Sequence, residues 1–173
     1  MIEVYKGKIF TIFQDNIKDE LGVVHNIEKC FRGNVVSIIG ITDKQEILLI
    51  KEYRPGINKY IYGLPGGKIE NGETIEDSCK REFQEETGYT SNNFQYFHTK
   101  YPSDFFIGDG YVYIAHNIKK IPDKSKLKPD EKGKISVEIL SIDQIKDFID
   151  KDEIPNEFFC FIIYKLIKRI FEK

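Results

Sequence analysis

The segment Glu73–Gly88, ETIEDSCKREFQEETG, carries the residues best suited to chemistry. On a helical wheel of about 100° per residue, Ile75, Cys79 and Phe83 form an apolar stripe, and Glu82 and Glu86 fall in the same sector. Glu85 and Arg81 run along its edge, while Glu76, Asp77, Lys80, Gln84 and Thr87 define the solvated face. Two carboxylates therefore share the inward side of the helix and a third flanks them. Unpaired carboxylates are costly to bury, and a like-charged cluster repels itself. A hard cation such as Mg2+ or Mn2+ relieves both penalties through oxygen ligands. Just upstream, Leu64-Pro65-Gly66-Gly67-Lys68 is a stiff loop, poor in side chains, whose backbone can approach a ligand or metal closely.

The elements that must position this helix are legible as alternating strands and helices. Residues 2–13 and 22–31 read as strands joined by the polar stretch Gln14–Leu21, and 34–42 and 46–53 as a hairpin of well-buried strands. Pro55-Gly56 and the Leu64–Gly67 loop break the chain. Glu73–Thr87 reads as a helix ended by Gly88. Strand character returns over 94–101 and 110–118, followed by a solvated loop over 119–134 and a last strand over 135–140. Ser141-Ile142-Asp143-Gln144 opens a helix with a capping-box pattern. A final amphipathic helix starts at Pro155, with apolar positions at 158, 159, 162, 163, 166, 167, 170 and 171. This is an α/β layered chain.

Composition narrows the function. The 173 residues hold 26 Lys and Arg against 28 Asp and Glu, a net charge of -2, so no basic excess is available to grip nucleic acid. No apolar run reaches the roughly 18 residues needed to span a bilayer, and MIEVYKGKIF lacks a signal-peptide core, so a cytoplasmic protein is expected. Cys30, Cys79 and Cys160 then read as reduced core thiols. The arginines are few, namely Arg32, Arg54, Arg81 and Arg169. Each is notable because Arg makes bidentate contacts with carboxylate and phosphate.

Gly67, five residues, Glu73, seven residues and then Arg81-Glu82-Phe83-Gln84-Glu85-Glu86-Thr87-Gly88-Tyr89 resembles the Nudix box, G-x5-E-x7-R-E-U-x-E-E-x-G-U. All seven fixed positions match, for which chance odds are on the order of one in a million at roughly 6 % usage per residue type. Phe83 and Tyr89 stand where the family prefers aliphatic residues. The resemblance implies an α/β/α sandwich around a mixed β-sheet. It also implies Mg2+-dependent hydrolysis, with Mn2+ as substitute, of a nucleoside diphosphate linked to another moiety. By position, Glu82, Glu85 and Glu86 become the metal and catalytic carboxylates, with the Gly66 carbonyl as a backbone ligand. Glu73 and Arg81 become the pair holding the loop to the helix, and Gly67 and Gly88 structural positions of the motif.

The flanks resemble the ADP-ribose pyrophosphatase branch of that family, in Lys51-Glu52-Tyr53-Arg54-Pro55 and in Tyr60-Ile61-Tyr62-Gly63-Leu64-Pro65-Gly66-Gly67. Residues 1–33 would be its small N-terminal antiparallel β-subdomain, through which such proteins dimerise, and 34–173 the hydrolase domain. Pro102-Ser103 matches the branch's Pro-Ser motif. Asp109 stands at the offset of its loop general base, with Asp104 as competitor. Arg54 and Arg32 are candidates for substrate contact. Two departures stand out, Asp at 109 where the branch has Glu, and Gly63 where it has an acid before Leu-Pro. The expected reaction splits ADP-ribose or a related nucleoside diphosphate sugar into a nucleoside monophosphate and a sugar phosphate. A nucleoside triphosphate pyrophosphohydrolase and a non-catalytic nucleotide sensor are the alternatives.

Overall fold

A computed structural model describes residues 1–103, 105–122, 135–154 and 156–171. The expectations on Asp104, Pro155 and the loop residues 123–134 lie outside the described residues.

The N-terminal strands form a meander of β1 (Ile2–Lys6), β2 (Thr11–Lys18) and β3 (Val24–Phe31), all antiparallel. Two expectations change here. Residues 2–13 do not form one strand, because a turn closes between Gly7 N–H and the Phe10 carbonyl at 2.8 Å. The polar stretch Gln14–Leu21 is strand as far as Lys18, since β2 is half-buried to exposed throughout and tolerates polar residues. The connecting turn is only Asp19–Val23, with both the Leu21 and Val23 N–H groups donating to the Asp19 carboxylate at 2.9 Å.

The chain continues through β4 (Val35–Ile41), β5 (Ile47–Arg54), β6 (Lys59–Gly63), α1 (Ile75–Thr87), β7 (Tyr89–Thr90) and β8 (Phe94–Lys100). It then runs through β9 (Phe106–Ile107), β10 (Gly110–His116), β11 (Lys119–Lys120), β12 (Ile135–Leu140), α2 (Ile142–Asp150) and α3 (Glu157–Leu166). A π-helical turn, Ile167–Phe171, extends α3. The strand β6 was not expected, because Pro55-Gly56 and Gly63 mask its short alternation. Lys119–Lys120 pairs with β7 rather than belonging wholly to a loop.

The main sheet is mixed, in the order β12-β5-β4-β10-β8, with β10 parallel to β4 and the other pairs antiparallel. Strand alternation sends two sets of side chains to opposite faces. Ile39, Ile41, Ile47, Leu49, Val112 and Ile114 pack against Ile145 of α2 and Phe159, Ile162, Ile163 and Leu166 of α3. On the other face, Val36, Ile38, Leu48 and Ala115 pack against Cys79 and Phe83 of α1. The result is an α/β/α sandwich. Among the described residues no helix is long and apolar enough to cross a membrane.

What places the site is a division of labour along one edge of β5. With β12 on the opposite edge, β5 pairs with β4 only at Gly40 and Ile41, and β6 takes over that edge from Ile50 to Arg54. The chain leaving β6 then lines up along the freed part of β4. The Pro65 carbonyl accepts from Ile38 N–H and the Gly67 carbonyl from Val36 N–H, both at 2.8 Å. The N-terminal meander is tied in as well, because β3 pairs in parallel with β9 at Cys30–Phe106 and Phe31–Ile107. The loop carrying Pro102 and Ser103 is thereby held at the edge of that first sheet.

Candidate active site

Helix α1 begins at Ile75, two residues later than expected, and ends at Thr87 as expected. Thr74 is the N-cap, its hydroxyl accepting from Asp77 N–H at 3.1 Å, and Gly88 ends the helix with a left-handed φ of 71°. The wheel places Phe83, Cys79 and Glu82 inward, and all three are buried. Thr87, expected in solvent, is buried too, because its hydroxyl donates to the Phe83 carbonyl and accepts from Tyr89 N–H. Burial, with Glu76 and Glu73 nearby, pushes the Cys79 thiol up to about 12, which leaves it inert.

Arg81 is the centre of the arrangement. Its Nε and Nη2 donate to the two oxygens of Glu73, each at 2.8 Å, and Nη1 donates to Glu82 Oε1 at 2.6 Å and Glu85 Oε2 at 3.4 Å. A further Nη2 contact reaches the Lys68 carbonyl at 3.1 Å. Ser78 also donates to Glu73. The Arg81 guanidinium, helped by Ser78, holds the Glu73 carboxyl down at about 2 against the opposing effect of burial. Arg81 is itself raised, first by Glu73.

Two glycines bring the loop against this helix. A Cβ on Gly66 would lie 2.1 Å from the Val36 carbonyl oxygen, and one on Gly67 would lie 2.5 Å from Glu82 Oε1. Gly66 has no room for a side chain, and one on Gly67 would displace the Glu82 carboxylate. The Gly66 N–H donates to Glu86 Oε2 at 2.8 Å. Its carbonyl accepts no hydrogen bond from the described residues.

A cleft of about 690 Å³ opens beside this loop. Arg32, Arg54, Gly66, Gly67, Pro102 and Ser103 all line it, so the structure brings these sequence candidates together. Arg54 also pairs with Glu52 at 2.7 Å. Glu82, Glu85 and Glu86 are not on the wall itself, but Glu82 lies against Gly67 and Glu86 against Gly66, and both glycines line it. Asp109 is not on the wall either, although Gly108 and Gly110 are. Its carboxylate accepts from the Tyr111 hydroxyl at 3.0 Å, and its N–H donates to Asn34 Oδ1 at 2.9 Å. Sequence reasoning missed Phe10 and Cys30, which reach the cleft from the first sheet, and Lys100, Asn156 and Phe158, which reach it from β8 and α3. Lys100 had one signal, its place directly before Tyr101-Pro102-Ser103.

The donor set suits a hard divalent cation in kind, with three carboxylates in about one helical turn beside an unbonded carbonyl oxygen. It is not a finished cage. Among the described residues no three Asp, Glu, His or Cys side chains already stand together as metal ligands. Glu82 is turned onto Arg81 and Glu86 onto the Gly66 N–H.

A model of the NUDIX domain matches residues 31–159. The chain is 27% identical over 130 residues to an ADP-ribose pyrophosphatase of Bacillus subtilis (strain 168), covering 75% of this chain and 70% of that protein. It is 26% identical over 130 residues to a methanol dehydrogenase activator of Bacillus methanolicus, with the same coverage of 75% and 70%. It is 30% identical over 92 residues to the ADP compounds hydrolase NudE of Escherichia coli (strain K12), covering 52% of this chain and 49% of that protein. A crystal structure of an ADP compounds hydrolase shares the fold with a TM-score of 0.79 at 21% identity, covering 96% of this chain and 90% of that one.

The Glu73–Arg81 pair has a pH signature. A carboxyl depressed from 4.5 to about 2 contributes stability above pH 4.5 that is lost as pH falls through 2. Glu73→Gln should cost about 2 kcal/mol near neutrality. Urea melts from pH 7 to pH 2 should show the gap to wild type constant above pH 4.5 and closing below it. A gap independent of pH would contradict the pairing.

Proposed function

This chain belongs to the NUDIX family, and on that premise we propose that it hydrolyses the diphosphate bond of ADP-ribose or a related nucleoside diphosphate sugar. The products are a nucleoside monophosphate and a sugar phosphate. The observation that carries this reading is the two-glycine loop, which the acids of α1 contact and which also lines the cleft that holds two arginines. Arg81 and Gly66 N–H hold Glu82, Glu85 and Glu86 against the loop, and Arg32 and Arg54 line that cleft.

Each residue has a distinct task in this account. Glu82, Glu85, Glu86 and the Gly66 carbonyl would hold the divalent metal, Mg2+ with Mn2+ as substitute. When bound, that ion neutralises charge on non-bridging phosphate oxygens and lowers the pKa of a coordinated water. Arg32 and Arg54 supply planar donor forks to the diphosphate. Arg54 is already half-oriented by Glu52. Pro102 and Ser103, tied to the first sheet through β9, close the far wall. Asp109 remains a candidate base from the loop before β10, its carboxylate oriented by Tyr111. The cytoplasm, where thiols stay reduced, is the expected setting.

Purified protein with Mg2+ should release AMP and ribose 5-phosphate from ADP-ribose. Glu86→Gln, which keeps an acceptor for Gly66 N–H, should lower turnover roughly 100-fold or more. Conversion of nucleoside triphosphates to monophosphate and pyrophosphate, with ADP-ribose untouched, would instead establish a triphosphate pyrophosphohydrolase. Tight nucleotide binding without any turnover would establish a sensor.

Residues 1–33 form a further part of the reading, as a β-subdomain that pairs with a second copy of the chain. Strand β1 is exposed along its whole length and carries Ile2 and Val4, and Leu21 at the β2–β3 turn is 90% exposed. Apolar surface of that kind marks an interface. Light scattering should give twice the chain mass, falling to one chain for Ile2→Asp combined with Val4→Asp. A single-chain mass for wild type at all concentrations would contradict the dimer.

A further inference from the structure

Beyond the diphosphate site, a run of alternating cations and rings starts at the cleft wall with Lys100 and Phe158 and continues along the β8–α3 face. Lys100 Nζ sits 5.0 Å from the Phe158 ring centroid, and Phe158 stacks on His98 at 6.2 Å and 27°. Phe161 meets His98 edge-on at 5.6 Å. Lys165 Nζ lies 5.3 Å from the Phe161 centroid and 3.1 Å from His98 Nδ1. Four residues further on, Arg169 sits 5.5 Å over Phe97.

Three full positive charges thus gather on the β8–α3 face, and among the described residues none of them forms an ion pair. Glu157, two turns ahead of Lys165 on α3, contacts none of the three. The rings offset only part of the repulsion, since a cation over an exposed ring gains little. Burial, with Lys165 and Arg169 close by, holds the His98 imidazole below its usual value. A neutral ring can accept from the Lys165 ammonium instead of adding a fourth charge. Lys100 and Phe158 line the cleft, as does Asn156, the N-cap of α3. The patch is therefore continuous with the space where the substrate would lie.

We propose that this patch is an oxyanion subsite, taking a phosphate or carboxylate group that the substrate carries outside its diphosphate. The inference rests on the diphosphatase reading for its substrate. Lys100 and Lys165 are its charged contacts, Phe158 and Phe161 hold the two ammonium groups in place, and Arg169 adds long-range attraction. The same chemistry would accept free inorganic phosphate, which makes the source of the anion part of the test.

Calorimetric titration in EDTA separates the possibilities without turnover. The probes are ADP-ribose against 2′-phospho-ADP-ribose, UDP-glucose against UDP-glucuronic acid, and inorganic phosphate alone. Each is measured on wild type and on the Lys100→Gln, Lys165→Gln double variant. The charged member of at least one pair should bind about tenfold tighter to wild type, and the double variant should lose that ratio. Phosphate binding that is lost in the variant, with no preference in either pair, supports the subsite and makes the free anion its ligand. A preference that survives in the variant, or no preference together with no phosphate binding, overturns the subsite. Hydrolysis with Mg2+ is assayed separately, so a preference without turnover would refute the diphosphatase reading and not the subsite.

Discussion

One guanidinium carries the organisation of the site. Arg81 spends all three of its nitrogens on four partners, the carboxylates of Glu73, Glu82 and Glu85 and the Lys68 carbonyl. Glu73 precedes the helix and Lys68 follows the glycine loop, so this single side chain fastens the whole connection between β6 and α1 to the helix surface. Lysine has no equivalent geometry, because a point charge cannot hold a carboxylate by two parallel bonds while reaching two others. The same contacts make it tolerable to gather three carboxylates around this guanidinium, with Glu82 only 4% exposed.

The sheet accommodates that cluster through a defect in its own pairing. Because β5 gives up β4 after two residues, β4 has free backbone groups, and the Pro65–Gly67 segment satisfies them. Gly66 faces β4 at a distance that excludes a side chain, and Gly67 faces Glu82, whose carboxylate a side chain would displace. The loop thus lies close to the acids of α1 while also lining the cleft. That close approach to β4 depends on the absence of a methyl group at Gly66.

Much of this was legible in the sequence because it is written in local periodicity and fixed spacing. The α1 wheel placed Cys79, Phe83 and Glu82 inward, β12 fell on residues 135–140, and the Ser141–Gln144 capping box formed as its residues imply. The features that were not legible depend on distant partners. β6 exists because β5 has an open edge, which no pattern within Lys59–Gly63 reveals. Thr87 is buried by its hydrogen bonds with Phe83 and Tyr89 rather than by its wheel position. Lys100 and Phe158 become neighbours only when β8 and α3 pack, across 58 residues of chain. Asp109, chosen by its offset from Pro102, stands beside Tyr111 and Asn34 rather than on the cleft wall, since offset alone does not set which way a loop carboxylate turns.

The most direct test of the central claim is the Mn2+ affinity of Arg81→Lys, read by electron paramagnetic resonance as free Mn2+ during titration. The variant keeps the positive charge and removes the fork. If the fork is what holds Glu82, Glu85 and the Gly66 loop in register, affinity should fall about tenfold or more while the protein stays folded. Affinity equal to that of wild type would contradict the claim that this guanidinium organises the site.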